Sequence, residues 1–146
     1  MRVHEVMTAS PVVCTENDKA REVAKMLKEN NVGSLPVVEA GDSNQLVGII
    51  TDRDLCVGLI ADGRSPDGEI REYVSHDPVT CKANDKLDDC EKLMQRHQIR
   101  RVPVVDDNNH CIGIVAQADL ALNEIDTRVK KTVAAISKPN HAQHAA

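Results

Sequence analysis

The chain contains two copies of one pattern, and a repeat restricts the fold more than composition can. Residues 10–27, SPVVCTENDKAREVAKML, match residues 77–94, DPVTCKANDKLDDCEKLM, with Pro11 and Pro78 at an offset of 67. The same offset carries LPVV (35–38) onto VPVV (102–105). Past the next turn the offset falls to 65, aligning LVGIITDRDL (46–55) with CIGIVAQADL (111–120). A turn shorter by two residues accounts for the difference.

Each copy reads as the same series of elements. An extended run after the proline leads into a helix whose apolar residues recur at helical spacing: Ala20, Val23, Ala24 and Leu27 in the first copy, Leu87, Cys90 and Met94 in the second. Asn17 or Asp18, and Asn84 or Asp85, are the expected N-caps, and Gly33 stands where the first helix should end. Two strands follow, flanking Gly41-Asp42-Ser43-Asn44 in one copy and Asp106-Asp107-Asn108-Asn109 in the other. Their Val and Ile runs predict strands buried on both faces. Closing helices begin at Asp52 and Gln117. The second is expected to continue toward Ile136, because Val129, Val133 and Ile136 share one helical face.

The predicted fold class is therefore α/β (α+β), two tandem β-α-β-β-α motifs packed about a pseudo-two-fold axis. Motif 1 spans residues 1–61, a linker of loop composition 62–69, and motif 2 with its C-terminal helix 70–136. The tail, 137–146, is expected to be disordered, with His141 and His144 solvated.

Composition narrows the function. The apolar fraction of 41% is carried by aliphatic residues, since the chain has one tyrosine, Tyr73, and no Phe or Trp. Stacking platforms for single-stranded nucleic acid are missing, and the net charge of −5 argues against a general polyanion binder. No segment approaches the length of a bilayer span, so a cytoplasmic protein without a membrane partner is expected. Cys14, Cys56, Cys81, Cys90 and Cys111 fall in apolar patterns without CxxC spacing and are expected to be reduced, buried core residues. His4, His76, His97 and His110 have no partnered nucleophile, and no GxxxxGK loop is present. The sequence predicts no enzyme, no metal site and no required cofactor.

The β-α-β-β-α unit with PVV before its turn and Gly-Ile-Ile-Thr-Asp-Arg-Asp after it resembles the CBS motif. Two in tandem resemble a CBS pair, or Bateman module, over residues 3–122, most of the chain. The lack of a fused catalytic domain makes it similar to standalone bacterial CBS-pair proteins, including the hypoxic-response type. The resemblance implies a regulatory, signal-transducing homodimer that binds an adenosine-type nucleotide (AMP, ADP, ATP or a relative) in the cleft between repeats.

Carried onto this chain, the family pattern places Thr51 and Asp54 on the ribose hydroxyls, Arg100 and Arg101 on the phosphate, and Ser75, Pro78 and Val79 against the base. A carboxylate such as Asp54 can accept from both vicinal ribose hydroxyls, and a guanidinium pairs bidentately with phosphate. Thr51 and Asp54 can equally form a helix cap, and an adjacent arginine pair can be a solvated surface pair. A second, weaker cleft combines Thr8, Pro11, Val12, Ser34 and Asp119. There Ala116 replaces the Thr or Ser of the motif, and Gly33-Ser34 replaces the basic pair. The regulatory reading implies action through an unknown protein target or the protein's own oligomer; a competing reading from a different class is a ligand-free CBS-fold dimerisation or stress-response scaffold.

Overall fold

The structure, a computed structural model, describes residues 1–41 and 43–139. The expected disorder of the tail, and the readings of its two histidines, fall on residues 140–146, outside those described. In chain order the elements are β1 (Thr8–Ala9), β2 (Cys14–Thr15), α1 (Ala20–Asn30), β3 (Ser34–Val38), β4 (Leu46–Thr51) and α2 (Asp52–Leu55). Then come β5 (Ser75–His76), α3 (Leu87–His97), β6 (Arg101–Val105), β7 (Cys111–Ala116), α4 (Gln117–Asn123) and α5 (Asp126–Ile136).

The chain forms two compact units of mixed α/β structure. One contains Pro11–Pro78 and Asp107–Cys111, the other Met1–Ser10, Val79–Asp106 and the chain from Ile112. The first has a sheet in the order β2-β3-β4-β5, the second a sheet in the order β1-β7-β6. The repeat offsets reappear in the pairing. Cys14 pairs in parallel with Val37, and Cys81 with Val104. Thr8 and Ala9 oppose Ile114 and Gly113, just as Ser75 and His76 oppose Ile49 and Gly48.

The strand ahead of each proline thus belongs to the sheet of the other repeat. This exchange extends the internal homology back to Val3 and Ile70, both fully buried 67 residues apart. Ser10 and Asp77, at matched positions just before the prolines, adopt left-handed backbone with φ of 46° and 51°. Such conformations cost a non-glycine residue roughly 1–2 kcal/mol, so the tertiary structure holds both turns in place.

Each unit has its own apolar core, filled from matched positions. Cys14, Val23, Leu27, Val37, Ile50 and Leu55 serve one unit. Their counterparts Cys81, Cys90, Met94, Val104, Val115 and Leu120 serve the other. The strands β3 and β6 are almost wholly buried, as their sequences imply, but β4 and β7 alternate buried and half-buried positions along most of their length.

Several local expectations are corrected. The N-caps are Lys19 and Lys86, neither with a side-chain cap. Asp18 and Asp85 instead close the preceding turns, accepting from the Thr15 and Lys82 amides at 2.9 and 2.8 Å. Helix α1 ends not at Gly33 but at left-handed Asn31, and α3 ends the same way at Gln98. A continuous closing helix does not form, because Glu124 and Ile125 are extended and separate α4 from α5.

Past α2 the backbone widens into a π turn, Cys56–Ile60, and Cys56 is exposed while the other four thiols are buried. Burial pushes the Cys14 thiol up to about 12. Contact with Cys81, Sγ to Sγ 3.9 Å, together with burial, raises Cys90 as well. A thiolate is the reactive form, so one fast thiol is expected when the native protein meets an aromatic disulfide reagent, and none in Cys56→Ser. Two or more fast thiols would contradict the buried assignments.

Candidate functional site

The clearest constellation lies where β4 runs into α2. The Thr51 amide donates to Asp54 Oδ2 at 3.0 Å, and the Asp54 amide donates to Thr51 Oγ1 at 3.0 Å. This reciprocal cap satisfies two helix N-terminal donors and fixes the carboxylate in the first turn, where the helix dipole favours negative charge. The capping reading is therefore realised, and it leaves binding capacity behind. Asp54 is half-buried, and its Oδ1 has no hydrogen-bond partner among the described residues. Thr51 is 3% exposed and keeps its hydroxyl proton to donate, since its oxygen serves the cap as acceptor. One positioned acceptor beside one donor suits a polar ligand with vicinal hydroxyls.

Other named residues of the same unit gather around this corner. Ser34 is buried and is the Cα partner of Thr51, and Ser75 on β5 opposes Ile49 two positions before Thr51. The Gly33 carbonyl accepts from the Asp52 amide at 3.0 Å, tying the start of β3 to the start of α2. Pro78 ends the main segment of this unit and is half-buried, as is Pro11, while Val12 is 42% exposed. Next to Ser75, His76 Nε2 lies 3.0 Å from Glu16 Oε2, and Arg71 reaches the same oxygen at 3.4 Å. That anchoring of β5 was not read from the sequence, because its partners are 55 and 60 residues apart.

The matched corner of the other unit is incomplete. Asp119 Oδ2 accepts from the Ala116 amide at 2.7 Å, but Ala116 has no hydroxyl to return a bond. The Arg100 carbonyl accepts from the Gln117 amide at 2.8 Å, so Arg100 and Arg101 stand at the start of β6 in the unit that carries Asp119. Arg100 is exposed, and among the described residues its guanidinium has no ion-pair partner, while Arg101 is half-buried. Thr8 is exposed on β1 opposite Ile114, and Val79 is half-buried. Within single units, then, the structure joins Thr51 and Asp54 with Gly33, Ser34 and Ser75, and joins Arg100 and Arg101 with Ala116, Asp119 and Thr8.

Two repeats of one β-α-β-β-α plan, each ending in a capped carboxylate, define a tandem-motif module. Residues 3–60 and 70–124 each match the CBS domain family, and the chain belongs to that family.

It is 41% identical over 123 residues to the CBS domain-containing protein YhcV of Bacillus subtilis, spanning 84% of this chain and 85% of that protein. The crystal structure of Hypoxic Response Protein I, with two coordinated zinc ions, is 28% identical with a TM-score of 0.75, covering 86% of this chain and all of that one. The CBS domain protein PAE2072 of Pyrobaculum aerophilum, complexed with AMP, is 25% identical with a TM-score of 0.78, covering 92% of this chain and 99% of that one. Among the described residues no group of three or more His, Cys, Asp and Glu side chains could hold a metal ion, and no helix is long and apolar enough to cross a membrane.

Proposed function

We propose that this protein is a non-catalytic regulatory module of the cytoplasm that binds an adenosine-type nucleotide. The observation that carries the reading is Asp54: a carboxylate held by its cap, half-buried, with one oxygen left to accept from a ribose. Thr51 assists it, Arg100 and Arg101 meet the phosphate, and Ser75, Pro78 and Val79 lie against the base. Thr8, Pro11, Val12, Ser34 and Asp119 form the second, weaker set. The AMP complex of PAE2072 supports this ligand class. Calorimetry with AMP, ADP, ATP, NAD and S-adenosylmethionine tests it. Saturable binding of an adenosine compound is expected, and no heat with any of them at millimolar concentration would sink the reading in favour of a ligand-free scaffold.

The module works as a homodimer. Val57 and Ile60 on the π turn are 51% and 69% exposed, and Leu122 and Ile125, 65 positions later in each case, are 83% and 63% exposed. Four large aliphatic side chains at matched sites suit burial against a second copy, whose symmetry presents the same patches in return. Light scattering at micromolar concentration should give twice the chain mass, and Ile60→Lys with Leu122→Lys should give the single mass. A wild-type mass equal to one chain would refute the dimer.

A further inference from the structure

Helix α5 lies beyond the segment that matches the family, which ends at residue 124. It packs on α3, contributing Thr132 and Ile136 as buried residues, and polar groups join the two helices. Gln95 Nε2 donates to Thr132 Oγ1 at 3.0 Å, and Gln98 Nε2 reaches the Ala135 and Lys138 carbonyls at 3.3 and 3.2 Å. Among the described residues the first repeat has no such cover: Arg21, Ala24 and Lys28, which match Asp88, Glu91 and Gln95, are all exposed on α1.

At the head of α5 a single guanidinium serves three carboxylates. Arg128 lies 2.8 Å from Asp88, 3.4 Å from Glu91 and 3.2 Å from Glu124. Two of these carboxylates have other relief. Asp88 is half-exposed and also paired with Lys92 at 2.6 Å, which holds its carboxyl below the usual range, and Glu124 adjoins a cavity of about 230 Å³ lined with Met1, Arg2, Lys86, Leu87, Asp88 and Arg128. Glu91 has neither. Its side chain is 4% exposed, and its Oε1 is buried with no hydrogen-bond partner among the described residues. Burial pushes its carboxyl up and the Arg128 charge pulls the other way, while Glu124 and Asp88 push it further up and a hydrogen bond from Thr132 draws it back; the net direction is up. A buried carboxyl oxygen without a donor is costly as an anion and much less so as a neutral acid.

We propose that α5 is a proton-controlled latch: with Glu91 protonated the helix seats firmly on α3, and ionisation of Glu91 loosens it. The groups that face Glu91 are Asp88 on its own helix and Glu124, Arg128 and Thr132 from the α4–α5 side. The sign follows from linkage. A carboxyl raised in the docked state contributes docking stability that is complete below its ordinary value of about 4.3 and is lost as pH rises through the raised value. The Asp88–Arg128 pair runs oppositely, because a lowered carboxyl keeps its contribution until pH falls through that lowered value. Docking is therefore tightest between the lowered value of Asp88 and the raised value of Glu91.

Hydrogen–deuterium exchange of the full chain from about pH 4 to about pH 8.5, corrected for intrinsic rates, tests the latch on the amides of α5. Protection of residues 126–136 should fall with rising pH, by at most about tenfold per unit for one linked proton. Protection of β3 and β6 should stay level. Glu91→Gln, neutral and of the same size, should hold α5 at the low-pH level throughout. Level protection in the wild type, an unchanged slope in Glu91→Gln, or loss of α5 protection in that variant at every pH would each overturn the proposal. Should Glu91→Gln fail to fold, carbon NMR of the wild-type Glu91 carboxyl decides: a midpoint clearly above 4.3 supports the latch, and one at or below it ends it.

Discussion

Asp54→Ala is expected to remove most of the affinity for AMP, whereas Asp119→Ala should cost far less. The two carboxylates occupy matched places and both cap a helix, so the family pattern alone does not separate them. Their neighbours do. Asp54 stands beside a hydroxyl that both returns its cap and keeps a proton to donate, while Asp119 stands beside Ala116, which offers neither. A hydrogen bond to a charged group contributes about 1.5–3 kcal/mol, so its loss weakens binding about tenfold or more.

Truncation at Asp54 also removes a cap, and Asp54→Asn is the control, since an amide oxygen can still accept from the Thr51 amide. If Asn restores thermal stability but not affinity, the loss belongs to the ligand. Arg100→Ala or Arg101→Ala should weaken AMP and ATP selectively while leaving adenosine nearly unchanged. Because the arginines sit in the unit of Asp119, they should also be combined with each carboxylate variant. Coupling to Asp54 places phosphate and ribose as proposed, and coupling to Asp119 assigns the phosphate to the other carboxylate. Retained binding in Asp54→Ala with loss in Asp119→Ala would overturn the assignment.

The repeat was legible because two copies at constant offset corroborate each other. Most buried apolar residues of one copy, such as Val37 or Leu55, find an apolar counterpart in the next. The exchange of β1 and β5 between the repeats' sheets was not legible. Both strands are two residues long with exposed side chains, so neither carries a hydrophobic pattern to reveal its partner. Polarity misled at the caps, where Asp18 and Asp85 satisfy the turn one step earlier than a helix N-cap would. Cys56 follows Leu55 in an apolar run, yet the π turn beyond α2 leaves it in solvent.

Within the candidate site the caps of the two carboxylates were legible in the sequence, and their surroundings less so. A carboxylate in a helix's first turn announces its own geometry, because the cap is local. The placement of Arg100 is not local, since it depends on the bond from the Gln117 amide to its carbonyl. Glu91 gave no signal either. On α3 it reads as one more exposed acid, and only the cover of α5 turns it into a buried one.

The largest effect on stability is expected from Gly48→Ala, and it should exceed that of Gly113→Ala although the two glycines occupy matched places. A Cβ on Gly48 would lie 2.4 Å from Val74 Cγ1 and 2.6 Å from the Ser75 carbonyl oxygen. A Cβ on Gly113 would meet Met7 Sδ at 2.6 Å and the Thr8 carbonyl oxygen at 3.2 Å. Methionine can swing aside, but a backbone carbonyl moves only with its strand. Overpacking of this kind costs about 1–3 kcal/mol, or a few degrees of Tm per kcal/mol in a chain of this size. Gly48→Ala should sit at the upper end and Gly113→Ala near or below the lower. Gly48 opposes His76, so the strand that must move is β5, which carries Ser75. Gly48→Ala should therefore lower AMP affinity together with Tm, and adding Val74→Ala should recover only part of either, because the carbonyl contact remains. Equal Tm losses in the two glycine variants, or full rescue by Val74→Ala, would show that side-chain crowding alone keeps these positions glycine.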